Sequence, residues 1–375
     1  MMYVFLYITI YHDFVNTVNK TNCQRCYTVS MDNNTTIKVA INGFGRIGRA
    51  FLKIAWLRPE IEIVAVNDLG SLESLAYLLR HDTVYRNWDH DVKIVDGGLS
   101  IDGKFVKFVS EKDTTKLPWK DLGIDVVVES TGLFTSYAKA QFHIADGAKR
   151  VVISAPTKDE AGAQEAATIL LGVNEEKFGT CDITSNASCT TNASSPLIGI
   201  MNEALGIDKA ILNTIHGYTA SQALVDGPSK KDLREGRAAA QNIVPSSTGA
   251  AIAVTQAYPQ LTGLFDGISI RVPVPAGSIV DVTFIAKRDT TAEEVNQILI
   301  KAAADPRWAG VFAVTDEPLV SSDILGNKHA SIADLAMTRV VGGNLVKVMG
   351  WYDNEMGYTY TLVDHVIKTG KTISK

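Results

Sequence analysis

Two groupings in this 375-residue chain have residue types and spacing suited to chemistry. Gly43-Phe44-Gly45-Arg46-Ile47-Gly48 is a glycine-rich turn between an apolar run and an apolar-periodic segment. In that setting the first glycine turns the chain and the second lets the backbone approach a pyrophosphate. The third lets helix pack on strand, and the helix N-terminus offers unpaired N–H groups to the anion. Asp68 follows Gly48 by 68 − 48 = 20 residues, where a carboxylate accepts hydrogen bonds from ribose hydroxyls and repels a 2′-phosphate. The expected ligand is therefore a dinucleotide, with NAD favoured over NADP.

The second grouping is Ser185-Asn-Ala-Ser-Cys189-Thr-Thr-Asn192. Ser188 reads as the N-cap of a helix that begins at Cys189, and a helix N-terminus stabilises a thiolate. A lone cysteine is also an ordinary small core residue, so its place at a helix start is the argument for a nucleophile. Such a thiol needs a base. His216 closes the apolar run Ala210 to Ile215, where a strand end presents its side chain to a cleft, but His12, His81, His90, His143, His329 and His365 compete. Spacing alone does not choose among them.

The elements that must position these residues follow from periodicity. Ile37–Asn42 and Ile61–Asn67 read as buried strands around a helix from Arg46 to Leu57, a βαβ unit. Further strands are expected at Ile124 to Ser130 and Arg150 to Ser154, with helices at Ser71 to Arg80 and Tyr137 to Ala145. Val92 to Val109 reads as antiparallel hairpins inserted into the parallel scheme. Beyond Cys189 helices are expected to Leu205 and from Thr291 to Ala304, the latter opened by a capping-box pattern. Strands are expected at Ile268 to Val274, Ile279 to Lys287 and Met337 to Met349, and a last helix over Tyr358 to Lys368. The fold class is α/β: a Rossmann-type doubly wound domain over 37–188, completed by a C-terminal helix in 354–375, plus an α+β domain over 189–353 with a mostly antiparallel sheet.

Composition narrows the partners. Lys plus Arg total 36 against 41 Asp plus Glu, a formal charge of −5. That excludes nucleic acid as a main partner. Four cysteines suit a reducing compartment, so a cytoplasmic protein is expected. Residues 1–36 read as a non-native or disordered extension, with Met31 as the natural initiator. Its apolar stretch, Met1 to Tyr11, is too short to span a bilayer. Cys23 and Cys26 lack a second pair, so no metal site and no membrane partner are expected.

From Ile37 to the C-terminus the sequence resembles phosphorylating glyceraldehyde-3-phosphate dehydrogenases. The motifs are INGFGRIGR (41–49), ESTGLF (129–134), RVVISAP (150–156), SNASCTTN (185–192), HGYTASQ (216–222), VDGPSKK (225–231), PSSTGAA (245–251), RVPVP (271–275) and WYDNEMGY (351–358), in the family's order. The resemblance implies that Cys189 is the nucleophile and His216 its base. It implies that Thr219 and Arg271 hold the phosphate of glyceraldehyde 3-phosphate, and that Ser188, Thr190, Thr248 and Gly249 hold inorganic phosphate. NAD would meet Arg46 and Ile47 by backbone, Asp68 at the adenosine ribose, Lys112 and Thr131 on the adenine and pyrophosphate side, Ser154, and Asn354 at the carboxamide. A homotetramer is implied too, its 217–240 loop with Lys230, Lys231, Arg234 and Arg237 near a neighbour's cofactor. Rival readings are an erythrose-4-phosphate dehydrogenase and, from another class, a catalytically silent NAD-binding interaction protein.

The reading of the extension has a direct check. A chain started at Met31 should keep full activity and solubility, and membrane association lost on that truncation would contradict it.

Overall fold

In β1 (Ile37–Asn42) successive side chains face opposite ways, and both faces are buried. Val39 and Ile41 join a core with Phe51 and Leu52, whereas Ala40 packs with Trp119 and Ile124 on the other side. A strand covered on both faces reads as a near-continuous apolar run, interrupted here by exposed Lys38 and closed by buried Asn42, as suits a mid-sheet strand. The computed structural model describes residues 36–157, 159, 166–229 and 232–373. The extension with Cys23, Cys26 and Met31, and the loop residues Lys230 and Lys231, lie outside them.

After β1 come β2 (Ile61–Asn67), a two-residue ribbon of β3 (His81–Asp82) and β4 (Arg86–Asn87), then β5 (Val92–Val95), β6 (Gly98–Ile101) and β7 (Lys104–Val109). The sheet continues through β8 (Val126–Glu129), β9 (Arg150–Ile153), β10 (Ala166–Thr168) and β11 (Ile183–Ser185). Their order is β10-β11-β9-β8-β1-β2-β7-β6-β5. Pairing is parallel from β10 to β7, and the β5–β6–β7 hairpins extend one edge because β7 pairs parallel with β2. The hairpin expectation holds, with the refinement that they lengthen the main sheet. Strand order reverses at β1, so the glycine turn at its carboxyl end opens into the crevice where doubly wound sheets bind ligands.

The second sheet contains β12 (Ile207–Gly217), β13 (Val244–Ser247), β14 (Phe265–Val272), β15 (Ser278–Ala286), β16 (Phe312–Thr315), β17 (Ser331–Asp334), β18 (Arg339–Val341) and β19 (Leu345–Tyr352). Five of its ladders are antiparallel and two parallel, as a mostly antiparallel α+β sheet requires. Helices Cys189–Leu205, Ala250–Ala257 and Ala292–Ala303 cover one face, joining Leu212, Val280, Val282 and Val346 in one core. Thr291 caps the last of these by accepting from Glu294 N–H, but Glu294 turns to Arg288 and Thr290 instead of closing a capping box. The stretch expected as one helix from Tyr137 is two short ones, Tyr137–Ala140 and Phe142–Ala145.

The C-terminal helix, Met356–Lys371, returns to the first sheet and packs with the helix Arg46–Ala55 in the core that holds β1 and β2. Buried His365 fixes it there, its Nδ1 3.1 Å from Asn186 Oδ1 and its Nε2 2.8 Å from the Thr184 hydroxyl.

The glycine turn yields a paired prediction. A Cβ on Gly48 would lie 2.1 Å from the Gly43 carbonyl oxygen, whereas one on Gly45 meets nothing within 4 Å. Gly48→Ala should therefore cost about 1–3 kcal/mol of folding stability by forcing the helix off the strand. Gly45→Ala should cost under about 1 kcal/mol yet weaken dinucleotide binding. Urea unfolding and NAD titration separate the two, and equal stability losses would contradict the assignment.

Candidate active site

Cys189 reaches its position through a strained turn. Between the end of β11 and the helix, Ala187 adopts φ +54°, a left-handed conformation that costs a non-glycine residue roughly 1–2 kcal/mol. Three contacts hold it: Ala187 N–H donates to the Ser185 hydroxyl at 3.0 Å, the Tyr358 hydroxyl donates to Ala187 carbonyl at 3.1 Å, and Ala253 packs on its side chain. Ser188 then caps the helix, accepting from Thr191 N–H at 3.0 Å. Asn192 donates to the carbonyls of Asn186 and Ser188, tying the first turn back to the loop.

His216 lies near the end of β12 with its Nε2 3.4 Å from Cys189 Sγ. Parallel pairing of β12 with β14 places Arg271 directly beside it. The imidazole Nδ1 is 2.6 Å from the Gly217 carbonyl oxygen and 2.6 Å from Arg271 Nη1. Tyr352 meets the ring edge-on at 5.9 Å, its hydroxyl bonded to those of Thr190 and Thr214.

Burial pushes the Cys189 thiol above its ordinary range, opposed by the Arg271 cation and by the Thr190 hydroxyl and N–H. The helix start, through the Thr190 N–H, and the Arg271 cation pull the other way, toward the thiolate. Burial and the Arg271 cation together push His216 down to about 3. Proton transfer from Sγ to Nε2 across the 3.4 Å contact is the step this pair is placed to make.

Both residues open onto a cavity of about 800 Å³ that Arg46, Ile47, Ser154, Ser188, Thr219, Arg271 and Asn354 also line. Asn354 uses its amide oxygen to accept from Gly277 N–H and the Ser278 hydroxyl, leaving its amide nitrogen as the donor for a ligand. Ser130 borders both this cavity and a second of about 430 Å³, lined by Gly43, Gly45, Asp68, Lys112 and Thr131. There Gly43 has φ +95°, and a Cβ on it would lie 2.5 Å from Thr131 N. The helix Arg46–Ala55 starts from Gly45 with no side-chain cap and no acidic residue in its first turn, so its N–H groups remain for an anion. The Asp68 carboxylate accepts from Phe44 N–H at 2.7 Å and Gly70 N–H at 2.8 Å, locking the turn to the end of β2. This cradle fits a dinucleotide. Arg46 spends its guanidinium on Asp82 and Glu355, which leaves only its backbone for a ligand.

Three expected phosphate residues stand apart from the two cavities. Thr190 is buried and turns its hydroxyl to Tyr352, and Gly48 likewise serves packing alone. Thr248 and Gly249 lie at the start of the helix Ala250–Ala257, where the Thr248 hydroxyl accepts from Ala250 N–H. The sequence reading passed over Gln222, which lines the larger cavity and leaves its buried Nε2 without a partner among the described residues. It also missed Glu129, buried beneath the smaller cavity, which accepts from Asn42 Nδ2 at 2.6 Å, from Thr131, and from His143 Nε2 at 3.0 Å. Both belong to motifs already singled out, ESTGLF and HGYTASQ, but a carboxylate or amide within a motif shows its role only when its neighbours are in place. His143 is structural, accepting from Trp119 Nε1 at its other nitrogen.

The model of the glyceraldehyde 3-phosphate dehydrogenase NAD binding domain matches residues 37–137, and that of the C-terminal domain matches residues 188–354. Glyceraldehyde-3-phosphate dehydrogenase 2 of Streptomyces avermitilis is 46% identical over 341 residues, covering 90% of this chain and 100% of the relative. That of Borreliella burgdorferi is 46% identical over 335 residues, covering 88% and 98%. Glyceraldehyde-3-phosphate dehydrogenase 1 of Bacillus subtilis is 46% identical over 330 residues, covering 88% and 96%. The strained loop, the thiol–imidazole contact and the glycine cradle thus lie in a chain that belongs to the glyceraldehyde-3-phosphate dehydrogenase family.

Proposed function

We propose that this chain oxidises glyceraldehyde 3-phosphate to 1,3-bisphosphoglycerate, using NAD and inorganic phosphate. The observation that carries this reading is the 3.4 Å contact between Cys189 Sγ and His216 Nε2, inside a cavity that also offers Arg271, Thr219 and Asn354.

His216 Nε2 takes the Cys189 proton, and the sulfur attacks the aldehyde carbon to form a hemithioacetal. The Cys189 N–H and the protonated imidazole are placed to donate to the carbonyl oxygen as it becomes negative. Arg271 and the Thr219 hydroxyl anchor the substrate's phosphate, the arginine through charge-assisted bonds. NAD, when bound, supplies the acceptor for the hydride that leaves the hemithioacetal carbon. Cys189 then carries a thioester, which retains the acyl-transfer potential that a free acid would lose. Phosphate attack on that carbon expels the Cys189 thiolate. Ser188 lines the cavity in which this step takes place. Asn354 would donate to the carboxamide of NAD, the Asp68 carboxylate would accept from the adenosine ribose, and Lys112, Thr131 and Ser154 line the remainder of the two cavities.

We divide the described chain into the cofactor part, 37–188 with the helix in 354–375, and the catalytic part, 189–353. We assign a homotetramer, a reading supported by exposed apolar residues around the second sheet. Along β12, Leu212 is buried while Ile211 is 58% exposed, and Ile268, Ile243, Val225 and Leu233 are exposed as well. Further copies of this chain would cover such a surface. The cytosol is the compartment we assign, on the scarcity of cysteines. No helix among the described residues is long and apolar enough to cross a membrane.

Purified chain should reduce NAD only when glyceraldehyde 3-phosphate and phosphate are both supplied for sustained turnover, followed at the reduced-nicotinamide absorbance band. Cys189→Ala should abolish the reaction, and His216→Asn should lower kcat about 10²–10⁴-fold. NADP should be a poor substitute, and Asp68→Ala should narrow the preference. Sustained turnover by Cys189→Ala, or equal use of the two cofactors, would overturn the assignments.

A further inference from the structure

Beneath the smaller cavity a row of buried polar side chains crosses the carboxyl ends of three neighbouring strands. Glu129 closes β8, Asn42 closes β1 and Asn67 closes β2, and the register of the sheet sets the three side by side. Asn42 Nδ2 donates to Glu129 Oε2 at 2.6 Å, Asn67 Nδ2 donates to Asn42 Oδ1 at 2.8 Å, and Glu111 N–H donates to Asn67 Oδ1 at 2.9 Å. The row ends on Glu111 and Lys112, which line the cavity.

The direction of these bonds is decided at Glu129. Its other neighbours are all donors: Thr131 N–H at 2.9 Å, the Thr131 hydroxyl, and His143 Nε2 at 3.0 Å. His143 cannot reverse its part, because Trp119 Nε1, which only donates, takes the lone pair of the other ring nitrogen at 2.9 Å. Only a group with acceptors and no hydrogens of its own satisfies all these donors, and a carboxylate is that group. Asn42 must then turn its nitrogen to Glu129 and its oxygen to Asn67, and Asn67 must turn its oxygen to the Glu111 N–H. Thr131 gives both of its polar hydrogens to Glu129, so toward the cavity it can only accept.

We propose that Glu129 is a positioning residue for the dinucleotide, the acceptor-only end of a row that sets where Thr131 and the Glu111–Lys112 wall stand around the adenosine half. Glu129 lines neither of the two cavities and acts through these neighbours. The glycine turn hangs from the same row, since Gly43 N–H donates to the Asn67 carbonyl and Ser130 N–H to that of Asn42. The inference rests on the smaller cavity as the place of the adenosine half.

Positioning of this kind depends on bond direction, whereas simple support depends on volume. Glu129→Gln keeps the volume and puts an N–H where only donors stand. Calorimetric titration of the full chain should show NAD and ADP-ribose both bound about tenfold more weakly, the equivalent of one lost hydrogen bond. With NAD and glyceraldehyde 3-phosphate saturating, kcat should stay within about twofold, as should the rate of Cys189 alkylation by iodoacetamide without NAD. In the double variant Glu129→Gln with Asn42→Asp, amide and carboxylate change places. The link between β8 and β1 is remade in the opposite direction, and the bond from Asn67 Nδ2 is kept. Affinity for both ligands should return to within about threefold of the unaltered chain, the unmatched His143 N–H accounting for the rest.

ADP-ribose binding unchanged in Glu129→Gln, a loss carried by kcat instead of affinity, or a double variant that binds no better than the single one overturns the proposal. Should Glu129→Gln not fold, the double variant decides alone, supporting the proposal if it folds and binds ADP-ribose within that range and overturning it otherwise. Failure of the unaltered chain to bind ADP-ribose would separately overturn the placing of the adenosine half.

Discussion

A single contact, Cys189 Sγ to His216 Nε2 at 3.4 Å, joins the two sheets chemically. The thiol comes from the helix that leaves the first sheet, the imidazole from the end of a strand of the second. Burial works against charge on both groups, while the Arg271 cation and the Thr190 N–H favour the thiolate, so the contact is where a proton can pass between them. Desolvation strengthens every donor that later faces a developing negative charge.

The contact constrains much of what surrounds it. Strain at Ala187 is tolerated because Tyr358, on the C-terminal helix, and Ala253, on a helix of the second sheet, both grip that residue. The C-terminal helix is in turn held by buried His365 against Thr184 and Asn186, the residues on either side of Ser185. It also shares a core with the helix that starts at the glycine turn. Nucleophile loop and cofactor cradle are thus packed on one element, which fixes their separation without any direct bond between them.

Much of this was legible in sequence, and for physical reasons. β1 and β2 are buried on both faces, so their apolar runs and the glycines between them carry a strong signal. The helix Cys189–Leu205 begins and ends where Ser188 and Gly206 cap it, and the expected span agrees with the observed one. What stayed hidden were short strands such as β10, β16 and β17, whose three or four residues lack a period, and the helix Ala250–Ala257, masked by the Ser-Ser-Thr-Gly before it. The pairing of His216 with Arg271 was invisible because register between distant strands leaves no local trace. For the same reason Thr190 looked like a phosphate ligand while its hydroxyl is bonded to Tyr352. The burial that raises the thiol was equally out of reach, since it depends on the whole surround.

The central claim is that Cys189 becomes acylated before phosphate acts. Mixing the chain with NAD and glyceraldehyde 3-phosphate in the absence of phosphate isolates that step. The account predicts a rapid burst of reduced nicotinamide approaching one equivalent per chain, followed by near arrest, with the acyl group found by mass on the peptide that carries Cys189. Steady turnover without phosphate and without a burst, or an acyl group located on any other residue, would contradict it.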